Sequence, residues 1–168
     1  MNDEAMIRRL RELYGLEELP VEGGLYRRTV YSPEVLPPEA APGRAGEHRM
    51  HSAILYLLTG SAFSRLHRLA SDEVYHFYMG GPAEQLQLLP DGTSRVIRLG
   101  QDVLAGERVQ LLVPRGVWQG TRLCPGTRWA LLGTTMAPGY EPQDYEDGDR
   151  EALTAAWPDR ADLIRRLT

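Results

Sequence analysis

Ser64-Arg65-Leu66-His67-Arg68-Leu69-Ala70-Ser71-Asp72-Glu73-Val74-Tyr75-His76-Phe77-Tyr78-Met79-Gly80 reads as two β-strands separated by a short polar turn. The second run is rich in β-branched and aromatic residues, and Ser71-Asp72 supplies turn chemistry between the two. Side chains alternate along a strand. One face of the second run therefore carries Glu73, Tyr75, Phe77 and Met79, and the other Val74, His76 and Tyr78. On the first run His67 shares a face with Phe63, Arg65 and Leu69. A histidine and a carboxylate thus sit on faces that a barrel would line.

The same texture extends on both sides. Runs at Leu25–Tyr31, Ser52–Leu58, Ala62–Leu69, Glu73–Met79, Glu84–Leu89, Ser94–Leu99, Arg108–Val113, Gly116–Arg122 and Arg128–Thr135 are short and rich in strand formers. Gly, Pro, Asp or Ser punctuates almost every gap, and Pro90-Asp91-Gly92 is a hairpin turn. Many short, closely spaced strands predict an all-β antiparallel sandwich or barrel. Before them, Asp3 is placed to cap a helix over 3–14, whose apolar stripe of Met6, Ile7, Leu10, Leu13 and Tyr14 suits core packing, with Gly15 as its stop. Pro20, Gly23 and Gly24 then break the chain. Ser32 to Gly46 reads as a long exposed loop, and His48 and His51 as solvent-facing. An acidic segment, Glu141 to Asp149, precedes two short helices, Arg150–Ala156 and Ala161–Leu167, split by Trp157-Pro158. The expected organisation is one domain over 1–168, with a core barrel at about 25–137, a helix at 3–14 and a helical tail at 150–167.

The formal net charge of −4 comes with no basic tract, which argues against nucleic-acid binding. All 19 basic residues are arginine, a bias best explained by genome composition. Cys124 is the single cysteine, so no internal disulfide forms. No apolar run approaches a membrane span, and the acidic N-terminus lacks the hydrophobic region of a signal peptide. The expected location is the cytoplasm, with no membrane partner.

Two motifs give the pattern a family likeness. The spacing G-x5-H-x-H-x3/4-E-x6-G is matched by His67, Glu73 and Gly80, with Leu69 where a second histidine is usual. The spacing P-x-G-x2-H is matched by Pro114 and Gly116, with Gln119 in place of the histidine. Further matches are Glu22-Gly23-Gly24-Leu25-Tyr26, Ala53-Ile54-Leu55-Tyr56-Leu57-Leu58, Ser71-Asp72-Glu73-Val74-Tyr75-His76-Phe77, Val113-Pro114-Arg115-Gly116-Val117-Trp118-Gln119 and Ala137-Pro138-Gly139-Tyr140. In order and spacing the chain resembles the cupin superfamily, and within it cupin family five, a domain-of-unknown-function family. The resemblance implies a double-stranded β-helix, or jelly-roll, barrel of the RmlC-like type with short helices at both ends. It also implies a homodimer, and we expect the N-terminal strand to pair with the partner subunit. It implies no reaction.

Of the four usual ligand positions two are filled, so no tight metal is expected. His67, Glu73 and Gln119 are the weak candidates, for at most a weakly bound divalent ion. No other cofactor is expected. His67 suits acid–base work. If Glu73 touches it, the carboxylate fixes one tautomer and favours the imidazolium. Tyr75 or Tyr56 would supply the acid, by analogy with sugar-nucleotide epimerases of the superfamily. The candidate catalytic residues are therefore His67, Glu73 and Tyr75. The candidate ligand-binding residues are Glu22, Tyr56, Arg65, Phe77, Gln110 and Gln119. Arg65 would pair with Glu73, meet an acidic ligand, or sit on the outer rim. Gln110 and Gln119 would point the same way as each other if their strands are neighbours. Two readings follow for a small polar metabolite such as a sugar derivative or a keto or hydroxy acid. One is an isomerase or epimerase working by proton transfer, and the other a non-catalytic binding protein. A metal-dependent oxygenase or lyase fits less well.

Overall fold

A computed structural model of the chain describes residues 2–42, 44, 46–60 and 62–168. Helix α1 (Asp3–Tyr14) leads into β1 (Glu17–Glu18), β2 (Leu25–Tyr31), β3 (Ser52–Thr59), β4 (Phe63–Leu69), β5 (Glu73–Gly80), β6 (Ala83–Leu88), β7 (Ser94–Leu99), β8 (Gln110–Val113), β9 (Trp118–Leu123) and β10 (Trp129–Met136). Strand β11 (Tyr145–Asp147) and helices α2 (Arg150–Ala156) and α3 (Ala161–Leu167) complete the chain. Among the described residues the strands form two antiparallel sheets, ordered β1-β2-β3-β10-β5-β8 and β11-β4-β9-β6-β7. This is the antiparallel barrel expected from the strand pattern, in the jelly-roll form that the family resemblance implies.

Three apolar clusters hold it together. Inside the barrel lie Leu58, Phe77, Leu99, Val113, Ala130 and Leu132, with the rings of Tyr56 and Tyr75. On the outer face of the five-stranded sheet, Leu66, Leu86 and Leu88 pack against Leu153, Ile164 and Leu167 of the C-terminal helices. On the outer face of the other sheet, Leu57 and Leu131 pack against Leu10 of α1 and Leu16 just beyond it. Each fully buried aliphatic side chain of this kind contributes roughly 1.5–3 kcal/mol. The terminal helices therefore seal sheet faces that would otherwise be wet. Asn2, rather than Asp3, caps α1, accepting a hydrogen bond from the Ala5 N–H at 2.9 Å. Gly15 closes the helix with φ 60°, as its position suggested.

One irregularity positions the site. Along β4, Ser64 faces Thr121 and His67 faces Gln119. Three steps on β4 thus match two on β9, which is a β-bulge. The bulge resets the alternation. Ser64 and His67 both point into the barrel, while Phe63 and Leu66 join the outer cluster. The expected common face of Phe63, Arg65 and His67 is corrected by this extra residue.

The segment predicted as an exposed loop at 32–46 is exposed over most of its described residues but is anchored at several points; its Gly43 and Ala45 lie outside the described residues. Ser32 and Ala41 are buried, and Val35 bridges Arg49. Arg44 donates to the Ala70 carbonyl at 2.6 Å and to the Ser71 hydroxyl. His48 is 1% exposed, and its Nε2 lies 2.8 Å from Asp144 Oδ2. Its predicted solvent position is corrected: the acidic segment after β10 covers it.

Candidate ligand site

Three elements converge at one end of the barrel: the turn before β2, the bulged strand β4, and the start of β5. The turn carries Glu22. Gly23 adopts φ 95° and Gly24 φ 78°, and a methyl group on Gly24 would lie 2.7 Å from the Tyr56 ring. The turn is therefore pressed onto Tyr56, whose hydroxyl donates to the Gly23 carbonyl at 2.8 Å. The Arg65 N–H donates to the Glu22 carbonyl at 2.8 Å, and the Ser64 hydroxyl donates to Glu22 Oε1 at 3.0 Å. Glu22 is thereby fixed at the rim and leans inward.

His67 is 1% exposed. Its Nδ1 lies 2.7 Å from the Arg65 carbonyl. A carbonyl oxygen only accepts, so Nδ1 carries the proton and the neutral ring keeps its lone pair on Nε2. Nε2 faces Glu22 Oε1 at 4.0 Å. The Tyr145 ring stacks on the imidazole with centroids 5.0 Å apart. The tautomer is thus set by a backbone carbonyl of the bulge and not by Glu73, so the condition that Glu73 fix the tautomer is not met.

Glu73 is 6% exposed. Burial and the nearby Glu22 charge push its carboxyl above the usual range, opposed by His67, Thr134 and Gln119. The Gln119 amide donates to Glu73 Oε2 at 2.6 Å. A cavity of about 90 Å³ opens beside Glu22 and Glu73, bounded also by Arg28, Tyr26, Leu69 and Tyr140 among others; His67 and Gln119 are not among its lining residues. That volume holds about three waters at roughly 30 Å³ each.

Of the predicted site residues, the fold gathers Glu22, Tyr56, His67, Glu73, Tyr75 and Gln119 at this end or just beneath it. Phe77 lies inward as wall, within the apolar cluster. Tyr75 is fully buried, and burial together with the Glu73 and Glu22 charges drives its hydroxyl well upward. Burial and then Glu22 do the same for Tyr56. Two residues are not brought in. Arg65 turns outward at the bulge and reaches Asp147 Oδ2 at 3.2 Å. Gln110 pairs with His76 across β8 and β5 and points outward with it. Its Nε2 lies 3.3 Å from His76 Nδ1. Strands β8 and β9 belong to different sheets, so the adjacency under which Gln110 and Gln119 would point the same way is not met. Arg28, which the sequence offers as a candidate for an anionic group, borders the cavity; residues the sequence reading missed include Tyr140, Ser64 and Tyr145. Tyr140 lines the cavity, and burial followed by the Glu22 charge pushes its hydroxyl up to about 12. Its only sequence signal is its place in the Ala137-Pro138-Gly139-Tyr140 motif.

Residues 8–147 match the family model described as Cupin superfamily (DUF985). The chain belongs to this cupin family. A solved protein of Shewanella oneidensis is 30% identical, with a TM-score of 0.84 over 100% of this chain and 98% of its own. A hypothetical protein from Leishmania major is 24% identical, with a TM-score of 0.85 over 100% and 99%. An uncharacterized protein of Saccharomyces cerevisiae is 27% identical over 152 residues, which span 83% of this chain and 75% of that one. Oxalate decarboxylase of Bacillus subtilis shares the fold alone, at 14% identity and a TM-score of 0.55, with 38% of its chain covered. The chain is thus a cupin-fold protein whose full-length relatives bring no activity with them.

The cupin likeness raises the question of a metal, and the donors present do not fit one. Leu69 offers no lone pair at its position, and Gln119 turns its N–H to Glu73 rather than an oxygen to the cavity. Among the described residues no three His, Cys, Asp or Glu side chains converge as a ligand set. A first-row divalent ion needs such a closed set of nitrogen and oxygen donors. Among the described residues no helix is long and apolar enough to cross a membrane.

Proposed function

We propose that this cupin binds the hydroxyl-bearing end of a small polar metabolite and that His67 moves a proton on it, in an isomerase- or epimerase-type reaction. The observation that carries the reading is the imidazole at the end of the barrel. Its Nδ1–H is held by the Arg65 carbonyl at 2.7 Å, and Nε2 is directed at Glu22, 4.0 Å away. A base in that setting takes a proton at Nε2, and the neighbouring carboxylate stabilises the imidazolium that forms. Tyr140 stays protonated at neutral pH and, with Tyr26, Ser52 and Thr134, is one of the hydroxyl-bearing residues that line the cavity. It replaces the deeply buried Tyr75 as the partner of choice. Two carboxylates beside the cavity disfavour a carboxylate or phosphate at its base. Arg28, exposed and lying over the Tyr31 ring at 4.6 Å, is placed for an anionic group outside. A sugar derivative fits this charge pattern better than a keto acid does.

A second reading, a binding protein without chemistry, is favoured by the small cavity and by tyrosines held firmly protonated. The two separate by experiment. Sugars, sugar nucleotides, keto acids and amino acids are screened by thermal shift, with and without divalent metals. A ligand at about a hundred times its dissociation constant stabilises by about 2.7 kcal/mol. Hits are then incubated in deuterium oxide. The proposal expects deuterium in the ligand with wild type, and none with His67→Ala despite retained binding. Binding with no exchange for any hit overturns the proton-transfer reading and leaves the binding protein. Stoichiometric iron or zinc in the purified protein would overturn the metal-free site.

We further propose that two copies pair and that the cytoplasm is the location. Among the described residues β1 covers only Leu25 and Tyr26 of β2. The rest of that edge is open to a partner strand.

A further inference from the structure

A polar row crosses the five-stranded sheet. The register sets His67 opposite Gln119, Gln119 opposite Gln87, and Gln87 opposite Arg95. Gln85, Gln87 and Gln119 are buried, at 0%, 0% and 1% exposure, whereas Arg95 is exposed. Arg95 Nε donates to Gln87 Oε1 at 2.8 Å. Gln87 Nε2 donates to Gln85 Oε1 at 2.8 Å, and to the Leu112 carbonyl at 3.2 Å. Gln85 Nε2 donates to Thr121 Oγ1 at 3.1 Å and reaches Gln119 Oε1 at 3.4 Å. Gln119 Nε2 closes the series on Glu73 Oε2 at 2.6 Å. Every amide accepts from the surface side and donates toward the cavity.

The two ends fix that direction. A guanidinium only donates and an ionised carboxylate only accepts. Turning the three amides round would set N–H against guanidinium at one end and oxygen against carboxylate at the other. We propose that Arg95 is a positioning residue for the pocket. Through Gln87, Gln85 and Gln119 it fixes the direction of each carboxamide, so that Gln119 gives its N–H to Glu73 and Glu73 remains an acceptor. The ligand group that meets Glu73 is then a hydrogen-bond donor, a hydroxyl or an ammonium. The significance for a ligand rests on the reading of Glu73 as part of the binding site. The relay itself does not, since each of its bonds runs between groups of the protein.

Arg95 acts here through bond direction and not through distant charge, which solvent screens at an exposed side chain. The test uses glutamine-labelled full-length protein without ligand, with Gln119 assigned through Gln119→Leu. Solvent exchange of the Gln119 carboxamide protons is measured in wild type, Arg95→Met, Arg95→Lys and Arg98→Met. Loss of direction frees a charge-assisted bond, so Arg95→Met is expected to accelerate exchange about tenfold or more. Arg95→Lys, which also only donates, restores slow exchange, and Arg98→Met on the same strand leaves it unchanged. Wild-type exchange in Arg95→Met overturns the relay. Equal acceleration in Arg98→Met overturns it too, in favour of a plain charge effect. A failure of the ligand reading would surface only in the binding screen, with these exchange rates intact.

Discussion

Gly24→Ala tests the turn that presents Glu22. Gly24 has φ 78°, and an added Cβ would lie 2.7 Å from Tyr56 Cε2 and Oη and 2.8 Å from Cζ. Two costs add. Holding an L-residue in the left-handed region costs roughly 1–2 kcal/mol. Forcing a methyl into a packed ring costs roughly 1–3 kcal/mol, and Tyr56 cannot swing away, being 1% exposed and bonded to the Gly23 carbonyl. The sum, roughly 2–5 kcal/mol, lowers the melting temperature by about 10 °C at mid-range for a chain of this size. Thermal and urea denaturation of Gly24→Ala, Tyr56→Leu and the double variant give the cycle. With the ring gone, only the backbone cost remains, so the coupling should equal the packing share, roughly 1–3 kcal/mol. A Gly24→Ala protein that melts within about 1 °C of wild type, or a penalty identical in both backgrounds, refutes the claim that Tyr56 and the glycine turn lock together.

Two further outcomes follow from the same end of the barrel. Glu73 holds its proton more tightly folded than unfolded because of burial and Glu22. Its ionisation therefore removes stability as pH rises from the unfolded carboxylate value through the folded one. Glu73→Gln should match wild type in strong acid and be several degrees more heat-stable at neutral pH; a pH-independent difference contradicts the burial argument. Val21 has φ 67° and is exposed, so Val21→Asn should gain about 1 kcal/mol in urea denaturation by relieving left-handed strain at no cost in burial. Unchanged stability would show that this turn is unstrained.

The barrel was legible because its strands are short, alternating and bounded by turn residues. The likeness of the His67, Glu73 and Gln119 neighbourhoods to cupin motifs narrowed the fold further. Parity then placed side chains on the inner face wherever the strand was regular, as along β5 from Glu73 to Phe77. It failed at Arg65, because a bulge is one uncounted residue and nothing in Ser64-Arg65-Leu66-His67 announces it. It failed at Gln110 for a different reason: strand neighbours in sequence, β8 and β9, sit in opposite sheets. The relay glutamines of β6, Gln85 and Gln87, were passed over because that strand is buried on both faces. Leu86 and Leu88 face the C-terminal helices while Gln85 and Gln87 face the interior, so polar residues that normally mark solvent mark the inside. The strand Tyr145–Asp147 was hidden by its acidity. It pairs with β4 through Arg68–Glu146 and Arg65–Asp147 contacts that no single segment reveals.

The proton position on His67 is the most direct check on this site. Two-bond proton–nitrogen correlation spectra of histidine-labelled protein, recorded at alkaline pH and assigned with His67→Ala, distinguish the two neutral tautomers. The bonding predicts a protonated Nδ1 and a bare Nε2 for His67. A protonated Nε2 with a bare Nδ1 would mean that the Arg65 carbonyl does not hold the ring and that no free base faces Glu22, contradicting the proposed chemistry at its origin.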